Sequence, residues 1–125
     1  MKKIISTPHA PKAIGAYSQA VEANGMLFIS GQIGIDPATG KLVEGGIEEQ
    51  TRQVMKNIGA ILDAAGLTYN NIVKTSCLLS DIANFGAVNS VYGTYFPDQP
   101  PARAAYAVAG LPLGSLVEIE TIACR

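Results

Sequence analysis

The sequence predicts an α+β fold in which two helices pack on one face of a mixed β-sheet. Strand-like alternation opens the chain, two segments with helical periodicity enclose an apolar run, and two more strand-like segments end it. Runs in this order favour helices gathered on one side of a sheet. The 125 residues contain no repeat or linker and fit a single domain, 1–125.

The first two strands are predicted from a turn signal. In "SQAVEANGMLFISGQIG" two apolar runs flank Asn24-Gly25, a dipeptide that readily adopts the two positive φ angles of a tight hairpin turn. We therefore expect antiparallel strands at about 17–23 and 26–32. The following "IDPATGKLVEGG" is rich in Gly, Pro and Asp and predicts a loop.

A first helix is predicted over 47–65. Glu48 and Glu49 suit its positive N-terminal end, and Gly66 suits its C-terminal stop. The apolar residues that recur at helical spacing are Ile47, Val54, Ile58, Ile61, Leu62 and Ala65. This helix should have one exposed face and one core face.

A buried strand and a second helix follow. "IVKTSCLLS" (72–80) is typical of a largely buried strand, and Asp81 can cap the helix after it. One stripe of that helix holds Phe85, Val88, Tyr92 and Phe96, and "PDQPP" ends it.

The last two strands bring charge into an apolar region. "ARAAYAVAG" and "LVEIETIAC" are joined by "LPLGS", and period two places Arg103 and Ala105 on one face of the first and Glu118 and Glu120 on one face of the second. If these strands pair antiparallel with matched faces, arginine and carboxylate share a surface. That surface is either a site for a small anion, with Glu moving protons, or a structural cross-strand ion pair.

Composition narrows the function. The chain is 48% hydrophobic and 15% charged with a net charge of −1, so part of its apolar surface is expected to be buried against other subunits, and nucleic acid is not an expected partner. No apolar run is long enough for a membrane span, and no signal-peptide pattern opens the sequence. We expect a cytoplasmic protein without a membrane partner.

Few residues offer metal or nucleophile chemistry. His9 is the only histidine and lies between two prolines, so we expect neither a Ser-His-Asp triad nor a histidine-rich metal site. Cys77 and Cys124 have the spacing of neither a disulfide framework nor a metal site, and we expect ordinary thiols in a reducing compartment. The sequence therefore predicts no metal and no cofactor.

Five segments, in order, resemble the Rid family, also called YjgF. They are "IGAYSQAV" (14–21), "LFISGQIGIDPATGKLV" (27–43), "NIGAILDAAGL" (57–67), "VKTSCLLSDIANFGAVNSVYGTYF" (73–96) and "PPARAAYAVAGLPLGSLVEIE" (100–120). The last resembles the family's signature, Pro-Ala-Arg followed by an apolar-Glu-apolar-Glu strand. The resemblance implies a chorismate-mutase-like fold and a homotrimer with three sites in the clefts between subunits.

The resemblance also implies an activity. A RidA-type 2-iminobutanoate/2-iminopropanoate deaminase hydrolyses reactive 2-imino acids to 2-keto acids and ammonia. By the same resemblance, Arg103 would bind the substrate carboxylate and Glu118 would hold or activate water. The backbone of Ala104 and Ala105 would line the imine end, and Tyr17 would close the pocket. Three further positions that shape the pocket in relatives are Ser30, Gly31 and Asn89.

Two alternatives remain open. A non-catalytic trimer could use the same cleft to sense a small keto acid, although Glu118 favours an enzyme, because an acceptor near a bound anion aids proton transfer more than anion binding. Nuclease or chaperone activity is attributed to some relatives, but the net charge of −1 and the single histidine do not favour a nuclease. Glu120 is expected to be structural.

Overall fold

A six-stranded mixed sheet forms the centre of the structure, a computed structural model that describes residues 1–125. Its strands are β1 (Lys3–Ile5), β2 (Ala20–Ala23), β3 (Met26–Gln32), β6 (Ile72–Leu79), β7 (Ala102–Ala107) and β8 (Val117–Cys124). They lie in the order β1-β2-β3-β8-β6-β7, and only β6 and β7 pair in parallel. A separate small hairpin pairs β4 (Ile35–Asp36) with β5 (Lys41–Leu42).

The hairpin of β2 and β3 forms as the turn signal predicts. Asn24 and Gly25 have φ angles of 52° and 75°, and β3 covers the predicted 26–32. The first strand was placed too early, because β2 begins only at Ala20. Before it, the buried Gln19 side chain bonds to the backbone of Thr7 and Pro11 and anchors the N-terminal segment against the sheet.

The first helix, α1 (Ile47–Ala64), ends one residue before its predicted limit. Gly66 adopts a φ of 74°, its N–H donates to Asp63, and the N–H of Leu67 donates to the carbonyl of Leu62 at 2.9 Å. This pair of bonds is a Schellman motif, which satisfies the last helical carbonyls. The glycine stop signal in the sequence is confirmed.

The second helix is shorter than predicted. Asp81 caps a 3₁₀ turn (Ile82–Asn84) by accepting from the N–H of Ala83 at 2.9 Å, and α2 (Phe85–Gly93) follows directly. Phe96 lies beyond the helix end. It is nevertheless buried, with its ring centroid 4.8 Å from that of Tyr92.

Both helices pack on the same face of the sheet, as predicted, and the core lies between the two layers. We call this face the helix face and the opposite one the open face. Fully buried core side chains include Leu27, Met55, Ile58, Leu62, Leu79 and Ile119. Cys77 is also buried there as a free thiol. Neither helix combines the length and apolar character that a membrane span requires.

The pairing expected for the last two strands is wrong. β7 and β8 do not pair with each other, because β6 lies between them, antiparallel to β8 and parallel to β7. The order β6-α2-β7 is a βαβ unit, in which a helix carries the chain back to the start of a parallel neighbour. The sequence order strand, helix, strand already contained this signal.

This topology separates the arginine from the carboxylates. Arg103 is in register with Thr75, and Thr75 with Thr121, and both threonines are buried on the helix face. Glu118 and Glu120 alternate with Thr121 along β8 and so lie on the open face. The hypothesis of a cross-strand ion pair between Arg103 and these glutamates is therefore wrong within one chain.

The open face of a single chain exposes apolar side chains beside the charged residues Lys74, Glu118 and Glu120. The side chains of Phe28 and Tyr106 are 46% and 50% exposed, and both lie on this face, as do Ala104 and Ile122. Isolated exposed apolar residues are ordinary, but several on one sheet face often mark an interface.

Candidate functional site

The predicted site residues fall into two groups on opposite faces of the sheet. The arginine cluster consists of Arg103 with Phe85, Asn89 and Tyr92 of α2. The glutamate cleft lies on the other side and contains Tyr17, Ser30, Gly31 and Glu118. Each group holds part of the chemistry that the sequence predicts.

In the arginine cluster, one hydrogen bond and two aromatic rings hold the guanidinium of Arg103. Its Nη1 donates to Oδ1 of Asn89 at 2.8 Å. Its Cζ lies 5.2 Å from the centroid of the Phe85 ring and 4.9 Å from that of Tyr92, within cation–π distance. The Nε and Nη2 groups have no protein acceptor, so they are free to bind a carboxylate.

The helix α2 explains this arrangement. Phe85, Asn89 and Tyr92 are spaced four and three residues apart, which places them on one helix face. The hydroxyl of Tyr92 bonds to Oγ1 of Thr75 at 2.7 Å and so ties the ring to β6. Burial raises the pKa of the Tyr92 phenol above its ordinary value.

The glutamate cleft is built around a β-bulge. The register of β3 and β8 shifts between Ile29 and Gln32, so Ser30 and Gly31 form the bulge. The Ser30 hydroxyl donates to the carbonyl of Ser18 at 2.6 Å and fixes the segment before β2. A Cβ atom at Gly31 would overlap the carboxylate of Glu118. Glycine is therefore required for Glu118 to occupy this position.

Glu118 has a perturbed carboxyl group. Burial in the cleft, and secondarily the negative charge of Glu120 two residues along the same strand face, raise the pKa of Glu118. A carboxyl whose pKa is raised toward neutrality is better suited to exchange protons than an ordinary surface carboxylate.

The mouth of the cleft has an aromatic and an apolar rim. The cleft has a volume of about 580 Å³, and the half-exposed Tyr17 lines it with Lys12, Ile14 and Leu113. The N–H of Ile14 donates weakly to the Tyr17 hydroxyl at 3.4 Å. A space of this size accepts a small metabolite.

Ala104 and Ala105 follow Arg103 on β7, which is an edge strand of the sheet. Ala105 is in register with Cys77 on the helix face, whereas Ala104 is in register with Ser76 on the open face. Since no strand pairs with the outer edge of β7, alternate backbone N–H and C=O groups there are available to a ligand or to a second chain.

Sequence reasoning missed several residues around both groups. Phe85 and Tyr92 were assigned only to the core stripe, although they contact the Arg103 guanidinium. Lys12 and Leu113 had no assigned place, and each lines the cleft. The spacing of Phe85 and Tyr92, four and three residues from Asn89, indicated that they share its helix face. Lys12 and Leu113 lie in connections between strands, whose sequences have no periodic pattern from which their contacts could be predicted.

These features define a class: a small α+β protein with a mixed sheet, an arginine whose Nε and Nη2 have no protein partner, and a carboxyl of raised pKa in a cleft. The family described as Endoribonuclease L-PSP matches residues 7–125. A mouse 2-iminobutanoate/2-iminopropanoate deaminase is 57% identical over 100% of this chain and 93% of its own length.

Solved structures agree with this match. A Rid-family protein from Yersinia pestis has a TM-score of 0.97 and 52% identity, with both chains covered completely. E. coli TdcF, solved with bound serine, has a TM-score of 0.94 and 40% identity over 98% of each chain. The chain belongs to the Rid (YjgF) family.

Proposed function

We propose that this protein is a 2-iminobutanoate/2-iminopropanoate deaminase, which hydrolyses reactive 2-imino acids to 2-keto acids and ammonia. The observation that carries the proposal is the 57% identity, over the whole chain, with the mouse enzyme of that name. The two groups of site residues supply the required chemistry. We also propose one domain over 1–125 and a cytoplasmic location, which the two free cysteines support.

The active assembly in this proposal is a homotrimer. The open face leaves Phe28 and Tyr106 about half exposed, which supports burial against other copies. The two groups of site residues lie on opposite faces of one sheet. A site that joins the arginine cluster of one chain to the glutamate cleft of a neighbour repeats around a closed ring of subunits.

Substrate binding in this site depends on Arg103. The carboxylate of the imino acid binds to the free Nε and Nη2 edge of the guanidinium, while Asn89 occupies Nη1. Backbone groups of Ala104 and Ala105 on the outer edge of β7 contact the imine end. Tyr17 closes the cleft, and the bulge at Ser30 and Gly31 shapes its floor.

Hydrolysis then requires only a positioned water and a proton route. Glu118 takes a proton from water as the oxygen bonds to the imine carbon, and the C=N electron pair moves to nitrogen. Glu118 returns that proton to the nitrogen. Glu118 next takes the proton of the new hydroxyl and passes it to the same nitrogen, so the C–N bond breaks as the C=O bond forms, which leaves a 2-keto acid and ammonia.

A nuclease is disfavoured by the charge of the cleft. Glu118 and Glu120 both line it, and two carboxylates repel a phosphate backbone. A chaperone role has no feature in its favour beyond the open face, which the trimer covers in this proposal. A non-catalytic sensor of keto acids would also need Arg103, and the test below distinguishes it from an enzyme.

The test is Glu118→Gln, which retains size but removes basicity. Imine hydrolysis should fall about 10²–10⁴-fold. Binding of 2-ketobutyrate should persist or tighten, because a negative charge near the anion is lost.

The pKa of Glu118 is raised by folding, so its contribution to stability is full at acid pH and lost as pH rises through that pKa. The Gln variant should therefore keep its Tm at neutral pH.

The assay generates 2-iminobutanoate and 2-iminopropanoate with an amino-acid oxidase or dehydratase and follows their loss. Calorimetry with 2-ketobutyrate and thermal unfolding complete the set, with Glu44→Gln as a control at an exposed carboxylate. Binding without turnover in the wild-type protein would identify a sensor. Full hydrolysis by a folded Glu118→Gln protein would overturn the proposed role of Glu118.

A further inference from the structure

We infer that Tyr92 and Phe85 are positioning residues that fix the plane of the Arg103 guanidinium, so that its free edge is presented to the substrate carboxylate. The inference rests on the proposed function for the identity of the ligand. The geometry of the clamp itself is a property of the unliganded chain. We call the three side chains Phe85, Tyr92 and Asn89 the α2 clamp.

The need for a clamp follows from the position of Arg103. It lies on an edge strand, its side chain is exposed, and it forms no ion pair. A long side chain in that setting loses much rotamer freedom when it binds a ligand, and that loss weakens binding. Prior fixation of the guanidinium reduces this loss.

The clamp restrains the group in complementary ways. The ring centroids of Phe85 and Tyr92 lie 5.2 and 4.9 Å from Cζ of Arg103, so cation–π attraction holds the guanidinium over the two rings. The bond from Nη1 to Asn89 restricts rotation within the plane. Together they leave Nε and Nη2, two parallel donors that match the two oxygens of a carboxylate.

Tyr92 is itself held rigidly. Only 4% of the residue is exposed, its hydroxyl bonds to Thr75 at 2.7 Å, and its ring packs against Phe96. Thr75 is the β6 residue in register with Arg103. Through Tyr92 and Thr75, the clamp therefore ties the position of the guanidinium to the centre of the sheet.

The direct test uses NMR of the Arg103 side chain in the full assembly without ligand. In the wild-type protein the Nε–H resonance should be shifted by the two rings and show slow rotation about the Nε–Cζ bond. In Tyr92→Leu and Phe85→Leu this signal should move toward that of a free arginine. Tyr92→Phe, which keeps the ring, should retain it.

The functional test is 2-ketobutyrate affinity, measured by calorimetry. Tyr92→Leu should weaken binding about 2- to 30-fold, the range that corresponds to one cation–π contact. Tyr92→Phe should restore most of the affinity. In an Arg103→Ala background, Tyr92→Leu should have no further effect, because a positioning residue acts only through the residue it positions.

The matched control is Tyr95→Leu, which removes a ring that packs on Tyr69 and does not contact Arg103. It should change the Tm but not the affinity. Arg103 resonances that stay at their wild-type positions in both leucine variants would overturn the inference, as would a loss of affinity that persists in the Arg103→Ala background. A clamp that behaves as expected in a protein that does not hydrolyse imines would refute the proposed function alone.

Discussion

In the proposed mechanism, substrate recognition depends on Arg103. It lies within an apolar segment, and its only polar partner in the chain is the neutral Asn89. A guanidinium without a carboxylate partner in the protein, and with two donors free, suits the proposed role of binding a substrate anion.

Replacement of Arg103 therefore gives a sharp prediction. Arg103→Ala should weaken substrate or transition-state binding by about 2–5 kcal/mol. Arg103→Lys should restore only part of this, because an ammonium cannot form the bidentate contact. The measurements are kcat/KM for imine hydrolysis and 2-ketobutyrate affinity. Arg52→Ala, at a helix-surface arginine paired with Glu48 and Glu49, is the control and should change neither. Unchanged activity in Arg103→Ala would mean that the residue does not bind substrate.

Glu120 gives a second prediction at this scale, through pH. Its negative charge is one cause of the raised pKa of Glu118, after burial. If the carboxylate of Glu118 is the base, activity falls as pH drops through that pKa. Glu120→Gln should lower the pKa of Glu118 and move the acid limb of the kcat/KM profile to lower pH. Glu44→Gln serves again as the matched carboxylate control. If the acid limb does not move, a group other than Glu118 causes it.

At the scale of elements, the bulge in β3 controls the cleft. Gly31 leaves room for Glu118, and a methyl group there would displace the carboxylate. Gly31→Ala should therefore lower the rate of imine hydrolysis about 10²-fold, the typical effect of a misplacement of about 1 Å. Gly110→Ala, where a Cβ meets no atom within 4 Å, is the control. Wild-type activity in Gly31→Ala would show that the position of Glu118 tolerates displacement.

Elements with local signals were predictable from the sequence. The Asn24-Gly25 turn, the limits of β3, and α1 with its Gly66 stop follow from φ preferences and periodicity, and the structure confirms them. The partner of β7 did not follow, because alternation defines the faces of a strand but not its neighbour. The short strands β1, β4 and β5 were missed, since each has only two or three residues.

The sequence suggested which residues form the candidate site but not where they lie in the fold. The resemblance named Arg103, Glu118 and Tyr17, but the faces they occupy depend on the order of strands in the sheet. Their separation within one chain is a consequence of β6 lying between β7 and β8. Phe85 and Tyr92 were visible as a helical stripe, yet their contact with Arg103 depends on where β7 joins the sheet.

At the scale of the whole molecule, one chain is incomplete for the proposed reaction. Its arginine cluster and glutamate cleft lie on opposite faces, and its open face exposes apolar side chains such as Phe28 and Tyr106. Both features have one explanation if copies assemble so that neighbours complete each site. Sedimentation should then give the mass of three chains of 13.0 kDa each, and a monomer at micromolar concentration would contradict this assembly.

The most direct test of a site shared between chains is the activity of mixed assemblies. Arg103→Ala and Glu118→Gln chains, each inactive alone, are co-expressed with different tags, and assemblies that carry both tags are purified. If each site takes Arg103 from one chain and Glu118 from its neighbour, every trimer that contains both kinds of chain should form one intact site out of three. Imine hydrolysis should recover in proportion. If both residues act within one chain, every site retains a defect, and no recovery in correctly sized mixed trimers would contradict the account.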